Sequence, residues 1–170
     1  SGVLTVRGTA SFQTTGLGAN IYLDQSHAIT GKVTLNTTKD ATGVGGHATL
    51  DNGTAALVLG TSAASLVTDV DGNLTVRSGN SSGITDASGE TVTVGRNLSA
   101  TTDRNSGVID METLAVGGTV TLTTNGTGNA TIDNGTLDLD IAASSVGGDL
   151  TLRTGNADDT SGITDTGTVT

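Results

Sequence analysis

The chain has no cysteine, no proline and no tryptophan, and only one phenylalanine, one tyrosine and one methionine among its 170 residues. Each absence removes something. Without cysteine, nothing in the fold depends on a disulfide or on thiolate chemistry, and the redox compartment stays open. Without proline, every strand residue keeps the N–H that a two-sided hydrogen-bond ladder requires. With so few rings, an interior of ordinary breadth lacks its usual filling, because packed sheets stand roughly 10 Å apart. Basic residues are scarce as well: seven Lys and Arg against 17 Asp and Glu leave a net charge of −10. Such a chain is repelled by phosphate backbones and by anionic bilayers, so no nucleic-acid partner is expected. No apolar run approaches the ~18 residues of a membrane span, and no membrane insertion of this segment is expected either. The chain opens on Ser1 with neither an initiator Met nor a secretory leader, and an excerpt of a longer product is the expectation.

What is present is glycine at 26 positions, threonine at 34, and enough Val, Leu, Ile and Ala to rule out disorder through poverty of hydrophobes. The apolar residues alternate with period two in short runs. In "TVTLTT" Val120 and Leu122 fall on one face and Thr119, Thr121 and Thr123 on the other. "NLTVRS", "ATIDN" and "TLDLDIA" behave alike, and Asn-Gly, Asp-Gly, Gly-Gly and Ser-Gly steps between the runs turn the chain. No segment carries a sustained helical period. The reading is all-β.

The chain also repeats itself. "VDGNLTVRSGN" at 70–80 returns as "VGGDLTLRTGN" at 146–156, and "GKVTLNTT" at 31–38 as "GTVTLTTN" at 118–125. "ATLDNGT" at 48–54 returns as "ATIDNGT" at 130–136, and "SGITD" at 82–86 as "SGITD" at 161–165. The order is the same in both copies, which defines two tandem units, 1–87 and 88–165, with 166–170 opening a third. A parallel β-helix suits this pattern. Its interior is a thin column that small aliphatic side chains fill layer by layer, and strands stack on strands of the next winding. Roughly 20 residues per coil would give about eight coils, and at ~4.8 Å each a rod about 40 Å tall. The recurring segment is then expected at a fixed place in a stacked unit. A two-sheet sandwich is the alternative.

The strings "GVLTVRGTASF" (2–12), "ANIYLDQSHAITGKVTL" (19–35), "ATLDNGTAALVLG" (48–60) and "VDGNLTVRSGNSSGITDASG" (70–89) resemble the repeats of filamentous-haemagglutinin-like adhesins of Gram-negative bacteria. The resemblance spans essentially the whole chain. It implies a right-handed parallel β-helix rod without capping elements, exported by two-partner secretion and displayed on the cell surface or in the extracellular matrix. Adhesion, aggregation or a role in biofilm matrix is implied with it.

Against that stand several local patterns. The acids Asp24, Asp51, Asp69, Asp71, Asp133, Asp138, Asp140, Asp149, Asp158 and Asp159 are scattered rather than gathered on one groove, as a polysaccharide-processing enzyme would need. Asp138 and Asp140 share a strand face, and the reading is outward solvating charge. His27 and His47 have no metal-ligand spacing. "TDVDGNL" at 68–74 sets Asp69, Asp71 and Asn73 at alternate positions, a fragment of a calcium loop without its bidentate Glu, and a plain β-turn accounts for it. Thr-x-Thr steps at Thr91 and Thr93, at Thr119, Thr121 and Thr123, and at Thr168 and Thr170 are too unevenly spaced for an ice-binding face. Asn52-Gly53-Thr54 and Asn134-Gly135-Thr136 are glycosylation sequons that Asn-Gly turns produce by composition alone. Arg77 and Arg153 read as solvated charges ending equivalent strands.

The expectation is therefore no enzyme, no catalytic residues, no cofactor and no metal site, but a structural shaft. Its partners are neighbouring repeats or subunits end to end, with other filaments laterally, and divalent ions bridging acidic faces would make the lateral contact sensitive to a chelator. A carbohydrate-binding module is the runner-up, weakened because Tyr22 and Phe12 are the only rings. An ice-binding surface or a polysaccharide-processing enzyme follows.

Overall fold

A computed structural model describes residues 2–60, 67–155 and 162–170. Among these residues all 19 regular elements are β-strands and every pairing between them is parallel. The chain winds as a β-solenoid. The first coil holds β1 (Thr5–Val6), β2 (Ala10–Gln13) and β3 (Ile21–Leu23), and the second β4 (Ala28–Ile29), β5 (Lys32–Asn36) and β6 (Ala48–Asp51). The third holds β7 (Leu57–Leu59), β8 (Asp69–Val70) and β9 (Leu74–Ser78), and the fourth β10 (Ile84–Asp86), β11 (Val92–Val94) and β12 (Leu98–Asn105). The fifth holds β13 (Ile109–Met111), β14 (Leu114–Val116) and β15 (Thr119–Asn125). Then come β16 (Ala130–Asp133), β17 (Leu139–Ile141), β18 (Leu150–Arg153) and β19 (Ile163–Asp165).

One ten-stranded sheet gathers β2, β5, β7, β8, β10, β11, β13, β14, β16 and β18, and a seven-stranded sheet runs β19-β17-β15-β12-β9-β6-β3. The small β1–β4 pair completes the first windings. Register gives the coil length directly. Ile21, Ala48, Leu74, Leu98, Val120 and Ile141 lie in one column of the seven-stranded sheet. Most coils thus take between 20 residues, as from Ala130 to Leu150, and 27, as from Ile21 to Ala48. Nearly all of them are longer than the 20 expected, and the chain makes about six coils rather than eight. At ~4.8 Å per coil the stack is about 30 Å tall.

Strand alternation sets what lies inside. In β9, Leu74, Val76 and Ser78 are buried while Thr75 and Arg77 face out, and β16 and β6 share one pattern of burial. The inward residues make one continuous cluster from Ile21 to Ile141, aliphatic throughout except for the thioether of Met111. Each fully buried Leu or Ile contributes roughly 1.5–3 kcal/mol by leaving water, so the column needs no aromatic bulk. Corners demand glycine where the coils close up: at Gly83, φ is +63° and a Cβ would stand 1.7 Å from the Val108 carbonyl oxygen of the coil below.

The repeat is present in three dimensions, but not in the place expected. β5 matches β15 in sequence, β6 matches β16, β9 matches β18 and β10 matches β19, yet the members of every pair lie in different sheets. From Ala48, three steps down its column lead to Val120, and the matching Ala130 comes before the next step at Ile141. A repeat therefore spans three coils and part of a fourth. Its internal contacts are nonetheless the same. Val33 pairs with Leu59 and Val120 with Ile141; Asp51 with Arg77 and Asp133 with Arg153; Leu57 with Ile84 and Leu139 with Ile163.

Buried polar groups mark the same equivalence. The Asn52 side chain accepts from the Ile29 N–H at 2.9 Å and donates to the Ile29 and Ala56 carbonyls at 2.9 and 2.8 Å. Asn134 accepts from the Val116 N–H at 2.7 Å and donates to the Val116 and Asp138 carbonyls at 3.1 and 2.7 Å. Each amide takes the place of a peptide group where the backbone leaves the ladder, so the N–H and C=O of Ile29 and of Val116 are both met. Thr37 and Thr124 donate to the Gly46 and Gly128 carbonyls in the same way. Among the described residues no helix or strand closes either end: β1, β2 and β3, like β18 and β19, pair on one side only.

Candidate functional site

An open groove of about 670 Å³ lies at the ends of β6, β9 and β12, lined by His27, Asp51, Gly53, Arg77, Asp103 and Arg104 among others. Register builds it. Asp51, Arg77 and Thr101 lie in one outward column, and β12 runs past the end of β9, which brings Asp103 against Arg77. The Arg77 Nε donates to Asp103 Oδ2. That bond first, and then the carboxylate charge, hold the guanidinium above its ordinary pKa. Asp51 accepts from the Ser26 hydroxyl at 3.3 Å and from the Gly53 N–H at 2.8 Å. The groove's charges thus answer one another, carboxylate–guanidinium–carboxylate, and stay largely in solvent. The second copy shows the same theme on the other sheet, where Arg153 Nη1 donates to Glu112 Oε1 at 3.2 Å.

Neither histidine is presented as a base. His27 is 3% exposed, and its Nδ1 accepts from the Leu4 N–H at 3.0 Å. The Nδ1 of His47 accepts from the Asn73 N–H at 2.8 Å. Both imidazoles tie one coil to the next. Both are spent on backbone groups that would otherwise go unmet.

A second concavity, about 180 Å³, is lined by Asp86, Asp110, Glu112 and Thr113 with Thr85, Ser88 and Gly89. Asp86 accepts from the Thr113 N–H at 2.6 Å. Burial raises the pKa of Asp110, and the charges of Glu112 and Asp86 raise it further. Among the described residues, no three His, Asp or Glu converge as a metal site would require. The sequence reading passed over Asp86, Asp103, Asp110 and Glu112, the acids that meet other groups here. Each is brought to its neighbour by coil-to-coil register, for which a linear sequence carries no signal.

Of the residues singled out from sequence, His27, Asp51 and Arg77 line the groove, and the others fall elsewhere. Asp138 is exposed and accepts from the Gly162 N–H at 3.2 Å, but Asp140 is not the solvated charge expected: on the outward side of β17 its Oδ1 is buried and has no hydrogen-bond partner among the described residues. Asp69 and Asp71 lie beside Lys39, whose Nζ is 3.1 Å from Asp71, and Asn73 accepts from the Asn97 N–H at 3.2 Å. That is a corner held by an ion pair and hydrogen bonds. Asp158 and Asp159 lie outside the described residues, as do the ends of the "VGGDLTLRTGN" and "SGITD" matches at Asn156 and Ser161. Both named sequons bury their asparagine amides in three hydrogen bonds each, leaving no free nitrogen for a glycan in the folded chain. Tyr22 is 67% exposed on β3, whereas Phe12 packs against the end of the aliphatic column.

The Thr-x-Thr steps separate too: Thr93 lies in the ten-stranded sheet and Thr119, Thr121 and Thr123 in the seven-stranded one. What aligns is a column across coils. Thr49, Thr75, Ser99 and Thr121 stack outward in one register, one hydroxyl per winding. Comparison with protein-family models, with curated proteins and with solved structures gave no match for the chain.

Proposed function

We propose that this chain is a shaft segment of a long extracellular bacterial filament or adhesin, wound in the right-handed sense that its likeness to filamentous-haemagglutinin-like repeats implies. The observation that supports this reading most is the continuous parallel ladder, in which a sequence repeat keeps its contacts while passing from one sheet to the other. Such a repeat can be added without limit, because each new unit meets the same aliphatic column and the same exposed strand edges. Length is what it delivers. Stiffness follows, since bending the rod in any direction must stretch the backbone hydrogen bonds on its outer side.

The exposed polar surface fits the same role. Some of its charges are paired within the rod, as in the Arg77–Asp103 and Arg153–Glu112 contacts, and the outward columns are rich in hydroxyls. Surface display, secretion and a part in adhesion or biofilm matrix belong to this proposal, with neighbouring repeats as end-to-end partners. Electron microscopy of the full parent product, decorated with an antibody against this segment, tests it. Thin fibres labelled along their length are expected at the cell surface, and compact, unlabelled or intracellular particles would overturn it.

A further inference from the structure

Three Asn-Gly steps occur in the chain, at Asn52-Gly53, Asn125-Gly126 and Asn134-Gly135. The glycine φ is nearly the same at all three, +55°, +65° and +58°. That angle therefore does not distinguish them. Their hydrogen bonds do.

At Asn52 and Asn134 the side-chain amide is buried and held by three hydrogen bonds. The following glycine N–H is tied as well, to Asp51 Oδ1 at 2.8 Å and to Asp133 Oδ1 at 2.9 Å. Asn125 ends β15 on the surface, and its amide makes a single hydrogen bond, 3.2 Å to the Asp103 carbonyl. Among the described residues the Gly126 N–H donates to nothing. Electrophile and nucleophile are both locked at two steps, and both are available at the third.

We infer that Asn125 is this chain's site of spontaneous backbone modification through a succinimide. The Gly126 nitrogen attacks Asn125 Cγ, an N–Cγ bond forms, and the side-chain nitrogen leaves as ammonia, carrying away the proton that Gly126 gives up. Water then opens the ring at either carbonyl, leaving aspartate or isoaspartate, with no change of oxidation state. The new carboxylate adds negative charge to a chain already at −10. Isoaspartate also lengthens the backbone by one carbon at a corner where the Asn125 carbonyl accepts from the Ser106 and Gly128 N–H groups at 2.9 and 3.2 Å. The junction between the fourth and fifth coils is where the rod ages, whether or not it serves as a shaft.

Peptide mapping by mass spectrometry tests this on the intact chain, held folded at mildly alkaline pH and sampled over time, beside a sample kept in denaturant. In denaturant all three sites should convert at similar rates. In the folded chain Asn125 should convert first, with Asn52 and Asn134 slower by on the order of a hundredfold, since each must first lose three hydrogen bonds together. An Asn125→Gln variant should lose the early product. Equal folded rates at the three sites, or an Asn125 that stays intact while the denatured chain converts, would overturn the inference.

Discussion

The two copies of the "AT-x-DNGT" segment, at 48–54 and 130–136, share their local geometry and differ in location. Asn52 and Asn134 make the same three bonds, and Asp51 and Asp133 face Arg77 and Arg153 across the same kind of pairing. Yet the first copy sits in the seven-stranded sheet and the second in the ten-stranded one. The difference teaches that a strand here is specified by what lies one winding away, not by the sheet it joins. Both sheets offer an inward aliphatic surface, an outward polar one and parallel neighbours, so an alternating strand fits either. Where the copies diverge inward, one aliphatic replaces another, as Leu50 and Ile132 do, while outward the character changes: Asp69 and Asp71 of the first copy are Ser145 and Gly147 in the second.

The comparison is broken most forcefully in the core. Leu50 and Ile132 occupy matching inward positions, and both are fully buried. Leu50→Ala and Ile132→Ala should each cost about 2–5 kcal/mol in denaturant unfolding, from lost burial and the cavity left behind. Comparable losses support equivalent environments, and a loss at only one of them would show that the two sheets are not interchangeable. Next come the amides. Asn52→Ala and Asn134→Ala each strand a buried N–H and carbonyls, for an expected cost of about 2–3 kcal/mol. Amide exchange should quicken at Ile29 in the first variant and at Val116 in the second; no change there would mean that the side chains are not standing in for backbone.

The smallest effect sharpens the comparison at its outward difference. Burial, followed by the charge of Asp71, raises the Asp69 carboxyl above its ordinary pKa, while Lys39 draws it back. The folded state therefore holds that proton more tightly than the unfolded one, so stability falls as the pH rises through the carboxylate range. Asp69→Ser, which writes the second copy's Ser145 into the first, should stabilise the chain at neutral pH by under about 1 kcal/mol, since much of the side chain is in solvent. The gain should fade below the ordinary aspartate pKa of about 3.9. Thermal midpoints measured across pH check this, and a gain that grows on acidification would reverse the assigned sign.

Much of the fold was legible in the residues. Val120 and Leu122 inward with Thr121 and Thr123 outward is a pattern only a half-buried strand explains. The want of aromatics and proline pointed to a narrow, two-sided stack, and the paired strings to its repetition. The coil length was not legible, because loops of differing size, such as the one between β5 and β6, lie between strands that pair regardless. Nor was the groove. Arg77 was visible as a strand-end charge, but Asp103 reaches it only because β12, ending at Asn105, runs past Thr102, the partner of the last β9 residue, Ser78. The asparagines looked like turn residues and sequons, and nothing in "DNGT" says that its amide is buried.

By itself, the sequence determined that this protein is an all-β repeat with a thin aliphatic interior and an acidic exterior, because periodicity and composition fix which face of each strand can leave water. Only the tertiary structure decided which strand lies over which, and hence that matching segments occupy opposite sheets and that two Asn-Gly steps are locked while a third is open. Those outcomes depend on the number of residues in each winding. That number is the sum of many small loops, and only closing the coil against its neighbours reveals it.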